Sequence, residues 1–177
     1  MRKIVAGLFI SLDGVVEAPD QWHFPYFNDE MGEAVGSQMA AADAMLLGRV
    51  TYQEFAGYWP HQNSDETPGA AEMNETPKYV VSTTLQDVDW QNSTLIQGDL
   101  TEALTALKQQ PGKNISVVGS GTVVRSLLRE NLLDELALLV HPIVVGRGKR
   151  LFDDQGALTA LKLVDSRTFS TGVLNLT

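Results

Sequence analysis

The segment ISVVGSGTVVRSLLR, residues 115–129, passes from a β-branched run (Ile115, Val117, Val118) through Gly119-Ser120-Gly121-Thr122 directly into a helical pattern. A strand that ends in small residues and opens a helix gathers backbone N–H groups with no side chain in the way. The positive end of the helix dipole lies beside them, which suits a phosphate. The same residues also serve a tight strand-to-helix turn that simply needs glycine. The flanking sequence discriminates between the two.

Composition sets the outer bounds. A chain of 177 residues, 44% hydrophobic and 20% charged, is long enough for one domain with a full core and is neither disordered nor fibrous in type. The net charge of -9, without any block of Lys or Arg, argues against nucleic acid and anionic membranes as partners. With no cysteine, disulfides, thiolate metal sites and a cysteine nucleophile are excluded. The three histidines, His23, His61 and His141, are far apart and lack metal-ligand spacing, so no metal is expected. Arg2 and Lys3 before an apolar run superficially resemble a signal peptide. That run is short and is closed by Ser11, Asp13 and Gly14, so it reads as a first strand of a cytoplasmic protein.

Working outward, strand and helix alternate. Residues 3–12 read as a buried strand closed by the turn Asp13-Gly14. Residues 15–26 have no helical period and hold Pro19, Trp22, His23, Phe24 and Pro25, an aromatic loop that is either a lid over a ligand or a packed connection. Asn28 or Asp29 caps a helix to about Ala42, with Glu30 and Glu33 in its first turns and Met31, Val35, Met39 and Ala42 on one stripe. Residues 44–47 form a short strand, followed by Gly48-Arg49-Val50-Thr51-Tyr52 and a helical turn to Phe55. This is a second strand–glycine–helix junction, with a guanidinium beside it. A long connection over residues 56–77, with a helical turn near 70–74, leads to a strand at 78–82 that ends in Ser82-Thr83-Thr84. Those hydroxyls either bond phosphate or cap a turn. Residues 94–97 are a weak strand, and a helix with Leu100, Leu104 and Leu107 on one face runs to Pro111-Gly112. The helix after Gly121 presents Val123, Val124, Leu127 and Leu128, with Asn131 as its C-cap.

From Leu132 onward the helical period is lost. Residues 136–140, 143–145, 161–164 and 173–176 read as strands; Gly146, Gly148, Asp153-Asp154 and Gly156 mark a loop, and Thr171-Gly172 a hairpin turn. The pattern predicts an α/β fold in one domain, residues 1–177. Its central sheet is mainly parallel, with antiparallel C-terminal strands and helices on both faces. The glycine turn is not a Rossmann fingerprint, because Val124 stands where G-x-G-x-x-G needs its third glycine and no acidic residue ends the next strand. A Walker A loop is absent too. What remains is three strand ends, at Gly48, Ser82 and Gly119, on the carboxyl edge where a parallel sheet binds its ligand. Three phosphate-compatible points suit a dinucleotide with an extra phosphate.

Four segments then resemble the dihydrofolate reductase superfamily, in the branch formed by the reductase domain of the riboflavin-biosynthesis deaminase–reductase. They are Ser11-Leu12-Asp13-Gly14; Leu47-Gly48-Arg49-Val50-Thr51-Tyr52 with Trp59-Pro60; Val118-Gly119-Ser120-Gly121; and residues 141–152, HPIVVGRGKRLF, which match that branch's Pro-apolar-Gly-x-Gly-x-x-Leu-Phe run. The resemblance implies a three-layer dihydrofolate-reductase-like fold and NADPH as cofactor. It implies that Gly48, Arg49 and Thr51 meet the adenosine-side phosphates and that Ser82 and Thr83 lie near the 2′-phosphate. It also implies that Gly119, Ser120, Gly121, Thr122 and Val123 cradle the pyrophosphate. In dihydrofolate reductases the bond matching Gly119-Ser120 is cis, which is a hypothesis here because the second glycine is Ser120. The substrate is expected to be a small heterocycle or carbonyl compound, with Trp22, Phe24 and Phe27 walling its pocket. Glu30 and Asp13 are the candidate acids. No acid falls cleanly on the folate-reductase position, where Gly32 is closest, so true folate reduction is a secondary alternative. A non-catalytic nucleotide-binding module is another. The riboflavin-pathway substrate carries a phosphate, for which Arg147, Lys149 and Arg150 are candidate cations, and that branch implies a homodimer formed through the C-terminal β region.

Overall fold

The computed structural model describes residues 1–152 and 156–177. Among them, β1 (Ile4–Ser11), β2 (Ala42–Gly48), β3 (Lys78–Val81), β4 (Ser93–Ile96), β5 (Asn114–Val118), β6 (Glu135–His141), β7 (Ser166–Thr168) and β8 (Leu174–Leu176) form one sheet. Their spatial order is β4-β3-β2-β5-β1-β6-β8-β7. The first six strands are mutually parallel, β8 runs antiparallel on β6, and β7 antiparallel on β8. The helices are α1 (Asp29–Ala40), α2 (Arg49–Tyr58), α3 (Ala70–Glu75), α4 (Leu100–Gln109) and α5 (Gly121–Arg129). None is long and apolar enough to cross a membrane.

The layers follow from the period of two along each strand. In β1, Ile4, Ala6, Leu8 and Ile10 share a face with Ile115 and Val117 of β5 and with Ala44 and Leu46 of β2. That face packs against Leu104 and Leu107 of α4 and Val123, Val124 and Leu127 of α5. The alternate residues of β2, Met45 and Leu47, turn to the opposite face and meet Tyr52 of α2 and Met73 of α3. On that same side Met31 of α1 packs with Leu139 of β6 and with Phe169 and Val173. The expected three layers and mixed sheet are therefore formed.

Two expected strands are not. Residues 143–145 form a strap, because their backbone groups are taken up elsewhere: the N–H of Leu12 donates to the carbonyl of Ile143 at 2.9 Å, and the Asp13 carboxylate accepts the N–H of Val145 at 3.0 Å. Residues 161–164 are likewise not a strand. β7 pairs with β8 from Ser166 opposite Leu176, and Val164 and Asp165 already donate to the carbonyl of Thr177, the last residue. The turn at Thr171-Gly172 forms as expected, with Gly172 donating to Phe169 at 2.9 Å. Asp153 and Asp154, read as loop residues, lie outside the described residues.

One buried charge bears on stability. Lys78 opens β3, is fully buried, and its Nζ donates to the carbonyls of Met73 and Asn74 at the end of α3, both at 2.9 Å. It also sits 4.0 Å from the centre of the Trp90 ring. Burial strips water from the ammonium and lowers its pKa to about 8, against an ordinary 10.5. Between those two values the unfolded chain holds the proton more tightly than the folded one, so this lysine's contribution to stability rises with pH. The stability difference between the wild type and Lys78→Met should therefore shift in favour of the wild type from about pH 7.5 to about pH 9.5 in urea unfolding. A pH-independent difference would refute the assignment.

Candidate functional site

β3, β2 and β5 lie side by side and parallel, so the ends that carry Ser82, Gly48 and Gly119 share one edge of the sheet. Two of these junctions are sewn together. The Ser120 hydroxyl accepts the N–H of Gly48 at 2.8 Å and donates to Thr51 Oγ1 at 3.0 Å. Both hydroxyls are buried. The approach is tight on each side. A Cβ on Gly48 would lie 3.1 Å from Ser120 Oγ and 3.2 Å from Val123 Cγ2, and one on Gly119 would lie 3.2 Å from Thr51 Cγ2. Gly119 also turns the chain at φ +65°, in the left-handed region. Among the described residues every peptide bond is trans, Gly119-Ser120 included, so the cis bond considered there is not formed. The positive φ of glycine makes the turn.

The four long helices divide into two kinds. Asn28 caps α1 by accepting the N–H of Met31 at 3.0 Å, and Asp99 caps α4 by accepting the N–H of Glu102 at 2.8 Å. At α2 and α5 the caps are Gly48 and Ser120, and neither makes a side-chain cap bond. The first-turn N–H groups of α2 and α5 have no partner within the helix either. They lie together on the sheet edge, and the exposed Arg49 begins α2, reaching Gln53 at 2.9 Å. This arrangement can hold an anion through backbone N–H groups, helix dipoles and one guanidinium.

The other named cofactor positions have mixed roles. Ser120 Oγ both accepts and donates in the stitch, whereas Thr51 Oγ1 only accepts there. Val123 is buried in the core. The Thr122 hydroxyl accepts from Arg125 at 3.2 Å, and a Cβ on Gly121 would lie 3.3 Å from Val16. Ser82 Oγ accepts the N–H groups of Thr84 and Leu85, at 3.2 and 3.0 Å, and so caps a turn, while Thr83 is exposed.

Both candidate acids are structural clasps. Asp13 accepts the Ser11 hydroxyl at 2.6 Å and the N–H groups of Val145 and Gly146 at 3.0 and 2.8 Å. These bonds hold its pKa at about 2. Glu30 accepts the N–H and the hydroxyl of Ser170, both at 2.7 Å, and faces Arg167 at 3.3 Å, tying α1 to the C-terminal hairpin. Its pKa is also drawn down to about 2, chiefly by the two bonds from Ser170. A carboxylate stabilised by donors in this way is not a proton donor at neutral pH. Both acids expected to be catalytic, Asp13 and Glu30, are engaged by these donors in the structure.

The aromatic loop makes a packed connection with partly exposed rims. Trp22 is buried and donates through Nε1 to Glu17 at 3.2 Å, while Phe24 and Phe27 are 63% and 52% exposed. Their common centre is a residue pair that the sequence reading passed over. His23 stacks on Phe9 at 4.5 Å and leans on Phe24 at 4.3 Å. His141, at the end of β6, meets Trp22, Tyr26, Phe9 and His23 edge-on at 5.2 to 6.1 Å. Both histidines are buried. The Nδ1 of His141 lies 2.8 Å from the carbonyl of Leu139, whereas His141 Nε2 and His23 Nδ1 meet no hydrogen-bonding group among the described residues. The sequence distance between residues 23 and 141 hid the pair; the one local signal was a histidine closing an apolar run.

Beside this cluster a cavity of about 600 Å³ opens beneath α1, over the sheet face that carries Val5, Gly7 and Phe9 of β1, Val118 of β5 and Leu139 of β6. Phe9 lines it and also stacks on His23, and Phe55 and Trp59 wall its far side. None of the residues named from the sequence as substrate wall or acid lines it.

The family model of the RibD C-terminal domain matches residues 2–175. The chain is 30% identical to the uncharacterized protein YyaP of Bacillus subtilis, over 99% of this chain and 93% of that one. A putative riboflavin biosynthesis protein from Shewanella sp. PV-4 superposes with a TM-score of 0.80 at 19% identity, covering 98% of this chain and 96% of that one. Schistosoma mansoni dihydrofolate reductase superposes at 0.58 with 13% identity, covering 99% and 96%, so the fold is dihydrofolate-reductase-like.

The buried histidines make acid sensitivity a test of this site. Burial lowers the pKa of both below 6.5, for His23 with a further push from His141 and an opposing pull from Asp20. Below 6.5 the unfolded chain binds protons that the folded one refuses, so stability falls as pH falls. The urea midpoint should drop between pH 6.5 and about pH 5, and His141→Phe, which keeps a ring in place, should flatten that slope. An unchanged slope in the variant would contradict the buried neutral pair.

Proposed function

The chain belongs to the RibD C-terminal domain family, and we propose that it is an NADPH-dependent reductase of a small heterocyclic or carbonyl substrate. The observation that carries this reading is the pair of helix N-termini without side-chain caps, sewn side by side at the carboxyl edge next to an apolar cavity. The residues fit such a cofactor. Gly48 and Gly119 keep Cβ atoms away from the edge, the first-turn N–H groups of α2 and α5 are available to phosphate oxygens, and Arg49 supplies a cation. Ser82 and Thr83, on the adjacent strand end, are the proposed neighbours of a 2′-phosphate.

NADPH, when bound, supplies a hydride. The chain's own residues bind, orient and exclude water. The stitch between Ser120, Gly48 and Thr51 fixes the two junctions relative to each other. Phe9, Phe55, Trp59 and Leu139 give the cavity an apolar lining in which water is disfavoured. Asp13 and Glu30 stay ionised and hold loops, so the proton that accompanies a hydride comes from solvent or from the substrate's surroundings. The clamped acids also speak against folate reduction, and they favour, as a second reading, a nucleotide-binding module without turnover. We further propose that the protein is a cytoplasmic homodimer. The support is a row of exposed apolar side chains, Leu158, Leu161, Leu163 and Val164, that leads into the open edge strand β7.

NADPH should quench tryptophan fluorescence saturably, and Arg49→Ala should weaken NADPH by about tenfold or more while changing NADH far less. Equal weakening of both would remove Arg49 from the phosphate site, and no NADPH binding would remove the reading. Oxidation followed across pterins, pyrimidinones and quinones separates enzyme from module: tight binding without any turnover favours the module. In sedimentation the chain should run as a dimer, and Leu161→Lys with Leu163→Lys should shift it to monomer. A wild-type monomer would overturn the dimer.

A further inference from the structure

The lining of the cavity under α1 is informative in its charges. None of its described residues is Lys, Arg or His, and its two charged ones are the carboxylates Glu72 and Glu135. The nearby ammonium of Lys3 is engaged by Glu135 at 2.6 Å. Of the three cations considered for a substrate phosphate, Lys149 lies 3.9 Å from Glu17 and Arg150 lies 3.6 Å from Asp13, and none of the three, Arg147 included, lines the cavity. In a chain of net charge -9, an anionic ligand in this cavity meets repulsion and finds no counter-ion.

Among the neutral polar side chains of the lining, which also include Ser37, Thr76, Asn114, Ser116 and Asn175, Gln38 is the one that lies directly against Gly7 of β1. Gln38 reaches from α1 over Gly7 of β1, and its carboxamide occupies the space that any Cβ at residue 7 would need. Both residues line the cavity, and the carboxamide has no hydrogen-bond partner among the described residues. On the neighbouring strand Ser116, opposite Val5, adds a hydroxyl to the same lining. A carboxamide presents a donor and an acceptor side by side. In an apolar cavity it discriminates for a ligand that brings the complementary acceptor and donor in one plane, since any other ligand leaves it unpaired.

We propose that this cavity admits an uncharged planar molecule and rejects phosphorylated ones, with Gln38 pairing to the amide-like N–H/C=O edge of the ligand. Gly7 is the residue whose missing side chain lets Gln38 lie there. This takes the ligand to be the substrate of the reductase proposed above; its binding is measured without cofactor, so the two readings fail separately.

Lumazine, a planar ring system with such an edge, and menadione, a planar diketone without any N–H, serve as probes by fluorescence titration of the full chain. The wild type should bind both. Gln38→Leu should weaken lumazine by about tenfold and leave menadione unchanged. Gly7→Ala, which keeps the glutamine and adds one methyl where its carboxamide lies, should also weaken lumazine selectively. In competition against lumazine, uridine should displace it at concentrations about tenfold lower than uridine monophosphate. The proposal is overturned if the wild type does not bind lumazine, if both variants bind it unchanged, if menadione is lost in parallel, or if the monophosphate competes as well as uridine. Lumazine binding that behaves as stated in a protein that fails to bind NADPH removes the reductase reading alone.

Discussion

Ser120 holds its hydroxyl between the N–H of Gly48 and the hydroxyl of Thr51, at 2.8 and 3.0 Å, and the carboxyl edge of the sheet is organised by those two bonds. A hydroxyl at the start of a helix ordinarily turns inward to cap its own first turn. Here it reaches across to the neighbouring strand, so it locks β2–α2 against β5–α5 and leaves the helix amides of both uncapped. The glycines at 48 and 119 suit the same constraint, because a Cβ at either would crowd its neighbours at 3.1 to 3.2 Å. A single buried, fully satisfied hydroxyl therefore sets the spacing of two dipole ends that face the same way, which is what a diphosphate needs from a protein.

The charges divide between two neighbouring regions. At the edge, partial positive charge comes from helix ends and from Arg49. Beneath α1, the cavity has an apolar lining whose charged members are acidic. The acids nearest the loops serve neither region. Asp13 gathers the 143–150 strap, and Glu30 fastens α1 to the terminal hairpin. Both are held ionised by donors, so each acts as an anchor across the sheet. The buried histidines pack against Phe9, which lines the cavity, and burial lowers the pKa of both.

Much of this was legible in residue order. The alternation of short apolar runs with helical stripes gave the parallel sheet; Asn28 or Asp29 marked one helix start; and the junctions at Gly48 and Gly119 stood out because glycine and small residues there interrupt strong patterns. The same local logic failed at residues 143–145 and 161–164. Both are apolar enough for a strand, but a strand also needs a neighbour. In the first stretch Val145 donates to Asp13 and Ile143 to His141, and beside the second Val164 donates to Thr177 outside the β7–β8 ladder.

The sequence by itself determined most of the elements and the edge on which the three junctions meet, because those depend on backbone periodicity and on which residues permit a turn. Only the tertiary structure decided what the side chains do. Asp13 and Val145 are 132 residues apart, Glu30 and Ser170 are 140 apart, and a hydrogen bond between either pair turns a candidate acid into a clasp. His23 meets His141, and Gln38 settles over Gly7, for the same reason. Protonation, burial and pairing are set by neighbours in space, and in a parallel sheet wound β4-β3-β2-β5-β1-β6 those neighbours come from distant parts of the chain.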